Sequence, residues 1–389
     1  MFIRYLFSLV LLLFFLPEIA FAVSLYDPID GKLDMGEYLA ENAYGFLPMP
    51  MIITEPAVGY GIGFNALFLH ESEQKKEKRK RLAMKSINGG AQLLTPSISL
   101  VGGLKTDNGT WMAYGAHRQV WGDDKIRYLI AGGYGNVNMN FYTPYSKNKN
   151  DRIELNMEGQ GLIQNLQFRI KNSHFFIGLG QKFFSSDIKL ANGAASTKLI
   201  GTHNIANLSP TISGLGFVGS YDTRNNVFNP TNGAEYKAEY IWYRDTIGSD
   251  YNYTSTEIIG SHYIPISSKW LLALRWQYNA VFANTLLPPP AYPDIHMRGI
   301  PRNRYQGSAS SAVQAQINYN ITPRWLIDTF GGIGSAAKKT GDLYSHNDHS
   351  AYGIGFRYLI ARRYGINMGV DVAKSDDDQA IYLNLGTGW

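Results

Sequence analysis

The chain has 389 residues, no cysteine, 40 glycines, aromatics at 13% and a formal net charge of +5. Its mean hydropathy of −0.19 excludes a multi-span helical membrane protein, which needs repeated apolar runs of roughly 20 residues. It does not exclude a membrane β-barrel, whose lipid-facing and lumen-facing residues alternate and average out. The charge is too small to imply a nucleic-acid partner, and the lack of cysteine suits a compartment that oxidises stray thiols.

In chain order, residues 1–22 form a leader. Arg4 supplies the positive start, Leu6 to Leu16 an apolar run, and Ala20-Phe21-Ala22 small residues at −3 and −1. Cleavage after Ala22 is expected over an uncleaved anchor, because the apolar run is short for a span. Residues 23–55 read as a short periplasmic or lumenal segment. Asp34 is placed to cap a helix through Tyr44 that Pro48 and Pro50 end.

From residue 56 onward the chain reads as one unit of alternating segments. Sixteen strands are expected near 57–70, 83–92, 97–105, 109–120, 124–137, 154–171, 174–185, 212–222, 233–245, 250–264, 269–283, 310–321, 324–335, 350–359, 364–374 and 379–389. Within 312–321, Gln314, Gln316, Asn318 and Asn320 share one face; Val313, Ala315, Ile317, Tyr319 and Ile321 share the other. In the closing strands Ile366, Met368, Val370 and Val372 oppose Asn367, Gly369, Asp371 and Ala373. A soluble sandwich also alternates. Here, however, the polar set is rich in Gly, Asn and Gln, as suits a watery lumen. Aromatics (Trp111, Tyr114, Trp121, Trp270, Tyr278, Trp325, Tyr364, Trp389) gather near strand ends, as interfacial girdles do.

Loop lengths separate the two readings. Every second connection is mostly short, as at Gly122-Asp123, Asn172-Ser173 and Thr322-Pro323. The long loops, near 71–82, 138–153, 186–211, 284–309 and 336–349, all fall in the other set. Short periplasmic turns and long extracellular loops are the asymmetry of a transmembrane antiparallel β-barrel in a bacterial outer membrane. Trp389, an aromatic ending the last strand, resembles the terminal recognition signal of such barrels.

Candidate sites outside the barrel wall are weak. The run Lys75 to Arg81 falls in the first outer loop on this topology, either solvated or against lipopolysaccharide phosphates. His346, Asp348 and His349 lack a fourth ligand, so no metal is expected. The eight histidines give no nucleophile–base–acid set and no phosphate loop follows a strand, so neither enzymatic activity nor a cofactor is expected. The glycines suit barrel curvature and close packing.

Two stretches carry a resemblance. Gly219 to Gly233, reading GSYDTRNNVFNPTNG, is similar to a signature of the BamA/TamA (bacterial surface antigen) superfamily, with Asp222, Arg224, Asn225, Pro230 and Gly233 at its key positions. Asn229-Pro230-Thr231-Asn232-Gly233 is also plain turn chemistry, and Arg224 is free to pair with Asp222 or with phosphates at the inner interface. Met297-Arg298-Gly299-Ile300 resembles the family's Arg-Gly motif, and strand counting puts it in the sixth outer loop. The family folds this loop into the lumen and pairs its Arg with an Asp two residues after a Phe on the thirteenth strand. Here Phe330 is followed by Gly331 and Gly332, so Gly stands at the Asp position. Asp328 has the same parity, and Arg298 is expected to dock on it.

The resemblance implies a non-enzymatic factor aiding insertion or translocation of proteins or lipids, through a weak seam between first and last strands. The seam is expected between strands near Tyr60 and Leu383. About 30 residues between Val23 and the barrel cannot hold the periplasmic POTRA domains of relatives, so a short form is expected. It is expected either to act with a separate periplasmic partner on an unfolded barrel client or to have lost client handling. The alternatives are a passive pore or structural barrel, and last a lipid- or peptide-modifying barrel enzyme.

Overall fold

The computed structural model describes residues 25–41, 46–55, 57–86, 91, 93, 96–142, 152–191, 208–345, 348–376 and 378–388. The expected leader, His346 and Trp389 lie outside these residues.

Sixteen strands form one antiparallel sheet, each paired with its neighbours in sequence. They are β1 Leu47–Ile53, β2 Gly61–His70, β3 Ser97–Thr106, β4 Trp111–Trp121, β5 Ile126–Tyr142, β6 Arg152–Arg169, β7 Phe175–Leu190 and β8 Thr211–Asp222. There follow β9 Gly233–Tyr243, β10 Tyr253–Pro265, β11 Trp270–Ala283, β12 Ala309–Asn320, β13 Trp325–Ala337, β14 Asp348–Ala361, β15 Ile366–Ser375 and β16 Gln379–Leu385. The first and last strands come together, giving a nearly closed barrel. No helix among the described residues is long and apolar enough to cross a membrane.

Alternation follows the residues. In β12, Gln314, Gln316 and Asn318 are buried in the lumen while Val313, Ala315 and Ile317 face outward. Outward Trp111, Trp121, Trp270 and Trp325 are exposed at strand ends, as a girdle requires. Tyr114 instead turns inward, donating its hydroxyl to Asn65 Oδ1 (2.7 Å), and Tyr364 is buried beneath the barrel.

The first two strands depart from expectation. Leu47–Ile53 is β1, although Pro48 and Pro50 argue against a strand; an edge strand tolerates proline because its outer N–H groups have no ladder to join. The strand expected at 83–92 is absent where the chain is described: Glu73–Ala83 forms a helix and Met84 and Lys85 continue into a turn. The strand total survives, and every strand from β3 keeps its expected number. The side of one segment changes. Residues 71–96 now connect β2 to β3 at the short-turn end, so Lys75 to Arg81 does not lie in an outer loop.

Two short helices close that end. Helix α1 (Gly36–Glu41) begins where Asp34 Oδ1 accepts the Gly36 N–H (2.6 Å). Residues 42–44 of the expected helix lie outside the described residues, and Pro48 and Pro50 lie in β1 beyond it. Helix α2 (Glu73–Ala83) carries Arg79, almost fully buried against Glu71 (2.8 Å). Leu39, Ala40, Leu47, Met49, Leu67, Ile360, Tyr364 and Ile366 form one apolar cluster here, with Leu385 packed against it. This cluster joins β1 to the last strands from inside the lumen.

Candidate functional site

The long connection 284–308 is the sixth at its end of the barrel and folds into the lumen. Ile295, Met297 and Ile300 are buried against Ala312 of β12 and Ala351 of β14. This packing sets Arg298 on the wall. Its guanidinium lies 3.5 Å from the Phe330 ring centroid, donates to Gln316 Oε1 (2.6 Å) and is ion-paired with Asp371. Gly299 has φ +93°, which a side chain disfavours, and its N–H donates to the Tyr382 hydroxyl (3.1 Å).

The expected Arg298–Asp328 pair is therefore corrected. Asp328 does face the lumen and is buried, but Arg357 of β14 occupies it. Arg357 also meets Asp371 (3.0 Å) and donates to the carbonyls of Gly386 and Thr387 (both 3.1 Å). Asn384 adds a bond to Asp371 (2.6 Å). Two arginines and two aspartates thus balance, and Asp371, between both arginines, is the centre. The space is cut by glycines: a Cβ on Gly332 would meet Met297 Sδ (2.7 Å), and one on Gly355 would collide with Asp371.

Sequence reasoning missed Arg357, Asp371 and Tyr382 as partners. Parity could have found two of them, because Asp371 shares the lumen face of β15, and Arg357 shares that of β14 with Gly353 and Gly355.

The Asp222–Gly233 stretch is the β8–β9 turn at the short-turn end. Arg224 pairs with Asp222 (3.0 Å) and Glu235 (2.7 Å), the first of its two expected alternatives. Asn225 Oδ1 accepts from the Thr231 and Asn232 amides (2.9 and 3.2 Å), and Pro230 is buried. Gly233 sits at φ +96° against the Thr223 carbonyl. Asn226 reaches across the mouth, donating to the carbonyls of Ala91 (2.8 Å) and Tyr364 (3.0 Å). Each of these contacts is made within the chain. At the opposite end His349 stacks on Tyr305 of the sixth loop, and no metal-binding cluster occurs among the described residues.

The second feature is the seam. Among the described residues no backbone hydrogen bond joins β1 to β16. Thr54 Oγ1 spans the gap instead, donating to the Ile381 carbonyl (2.6 Å) and accepting the Ile381 N–H (2.8 Å). The seam thus lies at Leu47–Ile53, and the strand after Tyr60 is one place removed from it.

Residues 129–290 match the Omp85 superfamily domain. No curated protein matches the chain. Among solved structures it is similar to BamA from Haemophilus ducreyi lacking POTRA domains 1-3, at 11% identity and a TM-score of 0.53, covering 88% of this chain and 70% of that one. It is also similar to CdiB from Acinetobacter baumannii (11%, TM-score 0.52, 87% and 59%) and CdiB from Escherichia coli (8%, TM-score 0.53, 87% and 61%). The chain therefore spans about three fifths of the two CdiB chains. In fold this chain is a sixteen-stranded β-barrel like those of BamA and CdiB, and its residues 129–290 carry the match to the Omp85 superfamily domain.

Proposed function

We propose that the chain is a non-enzymatic outer-membrane factor that helps insert or translocate proteins or lipids through its β1–β16 seam. The observation that carries this reading is the missing ladder: among the described residues a threonine hydroxyl, and no backbone hydrogen bond, bridges two strands that a sealed pore would zip together. An open edge at membrane depth leaves backbone groups without partners, which costs several kcal/mol per group, so a closed barrel is the default and an unzipped one calls for a use. The sixth loop, pinned by Arg298 and Asp371, fills part of the lumen beside the seam and argues against a passive channel. Lipopolysaccharide contact and a periplasmic partner belong to this proposal. Lys75 to Arg81, at the short-turn end, is not a contact for outer-leaflet phosphates.

A reversible lock tests the reading. The Thr54–Ile381 alignment sets Ile52 opposite Leu383, so Ile52→Cys with Leu383→Cys forms a disulfide across the seam. In cells depleted of the native chain, the reduced variant is expected to restore the outer-membrane protein and lipid profile and the oxidised variant to fail. Equal restoration by both would remove the seam from the function.

A further inference from the structure

A side chain on the outer wall of a membrane barrel meets lipid, where no water is at hand to bond a polar group. From β11 to β14 the described outward positions hold no amide or imidazole. They include Leu274, Val313, Ile317, Ile333, Ile354 and Phe356, all exposed. The wall from β2 to β7 differs. His70 Nε2 donates to the Ser99 hydroxyl (2.8 Å), which donates to His117 Nδ1 (2.8 Å). His117 Nε2 in turn donates to Gln119 Oε1 (3.1 Å). Tyr128 lies opposite Gln119. Its hydroxyl donates to Gln164 Oε1 (2.7 Å), and Gln164 Nε2 donates to Gln181 Oε1 (2.9 Å). Alternation places these side chains outward, on the faces that carry exposed Trp121, Leu166 and Leu179.

This ladder climbs through the membrane. Trp121 and Trp111, at the short-turn and loop ends of β4, mark the two interfaces. The strand between them, about 33 Å long and tilted about 40°, covers roughly 25 Å of height. Ser99, His117, Gln164 and Gln181 share one pairing row, with Ile130 on β5 between them. The row continues through Leu215 to Trp242, beside the loop end of β9. On β2 it passes Phe68, beside the short-turn end at His70. It therefore rises by about 3 Å with each strand. His70 sits at the short-turn interface and Gln181 about 20 Å above it, roughly 6 Å below the level of Trp111. Between those two, successive polar groups differ in height by about 6 Å at most.

We propose that this ladder carries phospholipid headgroups from one leaflet to the other along the outside of the barrel. Lipid is the occupant because it covers this wall in the membrane, and its phosphate and ester oxygens accept hydrogen bonds. The ladder supplies the matching N–H and O–H donors. Gln181 Nε2 donates to nothing among the described residues, and Gln160, on the same face of β6 as Gln164, is exposed. A headgroup crossing bare hydrocarbon loses every polar partner, a cost that the ladder offsets at each level. Uncharged donors hold a phosphate weakly enough to pass it on, the condition for any conducting path. The acyl chains meanwhile stay in hydrocarbon beside Leu166, Leu179 and Leu215. The path lies on the wall, apart from both the seam and the lumen, and requires no protein client.

Vesicles of phosphatidylethanolamine and phosphatidylglycerol, with a trace of lipid labelled by a fluorophore on an acyl chain, test this. The full chain is reconstituted so sparsely that most occupied vesicles hold a single barrel. Dithionite added outside quenches the outer leaflet at once, and the inner-leaflet pool fades only as lipid crosses. A soluble fluorophore trapped inside reports any reductant entering through the lumen. The native chain is expected to drain the protected pool of occupied vesicles while the trapped fluorophore survives. Gln164→Leu/Gln181→Leu, which cuts the ladder at depth, slows the drain about tenfold or more. Gln164→Asn/Gln181→Asn keeps the amides and most of the rate. Thr329→Leu on the apolar wall, and the oxidised Ile52→Cys/Leu383→Cys lock, leave the rate unchanged.

A protected pool that persists with the native chain overturns the proposal. So does an equal drain by the leucine pair, its folding verified by heat-dependent electrophoretic mobility. Loss of the drain on locking the seam would place the crossing there and not on the wall. A drain confined to vesicles with two or more barrels would put a second copy on this wall instead of lipid. Single Gln181→Leu gives the same comparison if the leucine pair fails to fold. None of these readouts involves a cell or a client, so they are independent of the seam-based function.

Discussion

Arg298 of the sixth loop is ion-paired with Asp371 of β15, two strands beyond Asp328, which belongs to Arg357. The consequences of removing each arginine differ. In Arg298→Ala, Asp371 keeps Arg357 and Asn384, so the expected loss is about 1–3 kcal/mol, that of a buried bond removed. In Arg357→Ala, Asp328 loses its only ion pair among the described residues, with an expected cost of about 3–5 kcal/mol. Heat-induced unfolding of the barrel, followed by electrophoretic mobility, should rank Arg357→Ala well below Arg298→Ala. The reverse order would mean that the loop, and not the wall, holds the cluster.

Why Asp328 was legible and its partner was not has a physical reason. Alternation with period 2 fixes which face a residue takes, so Asp328, Gln316 and Asp371 are all identifiable as lumenal from sequence. Which of them a loop arginine meets depends on strand stagger and on Arg357 arriving first, and neither leaves a local trace. The same holds at the start of the chain. Pro48 and Pro50 speak against a strand locally, and only closure of the sheet makes Leu47–Ile53 an edge where proline is allowed. The charged run at Glu73–Ala83 gives no apolar period to mark it as a helix. Its fixed points are contacts with residues outside the helix: the Arg79–Glu71 pair and the hydrogen bonds that the Arg362 guanidinium donates to the Ala83 and Ser86 carbonyls.

The glycines of the cluster give a sharper test. Gly355 faces the lumen, where a Cβ would collide with Asp371 and crowd Arg357 and Asp328. Gly331, on the same sheet but facing out, leaves ordinary contact distances of 3.5 Å and more. Gly355→Ala is expected to destabilise the barrel by about 1–3 kcal/mol, as overpacking does. Gly331→Ala should stay within about 0.5 kcal/mol of the native chain. Comparable melting of the two variants would show that the cluster yields without cost.

Asn226 ties the β8–β9 turn to the β14–β15 turn by donating to the Tyr364 carbonyl and to the β2–β3 connection by donating to that of Ala91, while its Oδ1 accepts the Phe228 and Asn229 amides of its own turn. Asn226→Ala leaves the Tyr364 carbonyl short of a donor in a buried setting, at about 1–3 kcal/mol. Asn226→Asp is expected to be worse at neutral pH, because a carboxylate oxygen then faces the carbonyls of Ala91 and Tyr364. Chemical denaturation of the two variants should give the order Asn, Ala, Asp. An aspartate variant more stable than the alanine one would contradict the donor role.

Conductance separates a plugged barrel from a passive pore. Sixteen strands enclose an aqueous channel unless something fills it, and here the sixth loop occupies part of the lumen. Planar-bilayer recordings are expected to show small, irregular currents for the native chain. Arg298→Ala, or deletion of residues 289–305, should raise them. Large, stable channels in the native chain that ignore both changes would favour the pore.

The segment ahead of β1 offers a pH-dependent prediction. Arg324 meets Asp30 (2.6 Å), Asp27 (3.1 Å) and Asp34, and Arg362 meets Asp27 (2.6 Å). Together they fasten residues 27–34 across the short-turn mouth, beside Tyr358, whose hydroxyl donates to the Leu33 carbonyl (2.7 Å). Burial raises Asp27, but the hydrogen bonds from Arg362 and the Ile29 amide, with the charges of Arg362 and Arg324, together outweigh it and leave its carboxyl below the ordinary range. The hydrogen bond from Arg324 lowers Asp30 likewise. Carboxyls lowered by docking hold the segment at pH values above the ordinary carboxylate range and release it as pH falls through their docked values. Asp34 is raised by burial, so it takes up its proton first, and that step favours the docked form slightly as the medium becomes mildly acidic. A spin label at Leu33→Cys should therefore stay immobile from pH 7 to about 4 and gain mobility only below the ordinary carboxylate value of about 3.9, as pH falls through the lowered values of Asp30 and Asp27. In Arg324→Ala the label should move freely at every pH. Immobility persisting to about pH 1 in the native background would show that apolar packing by Leu39 and Ala40, and not these ion pairs, keeps the segment in place.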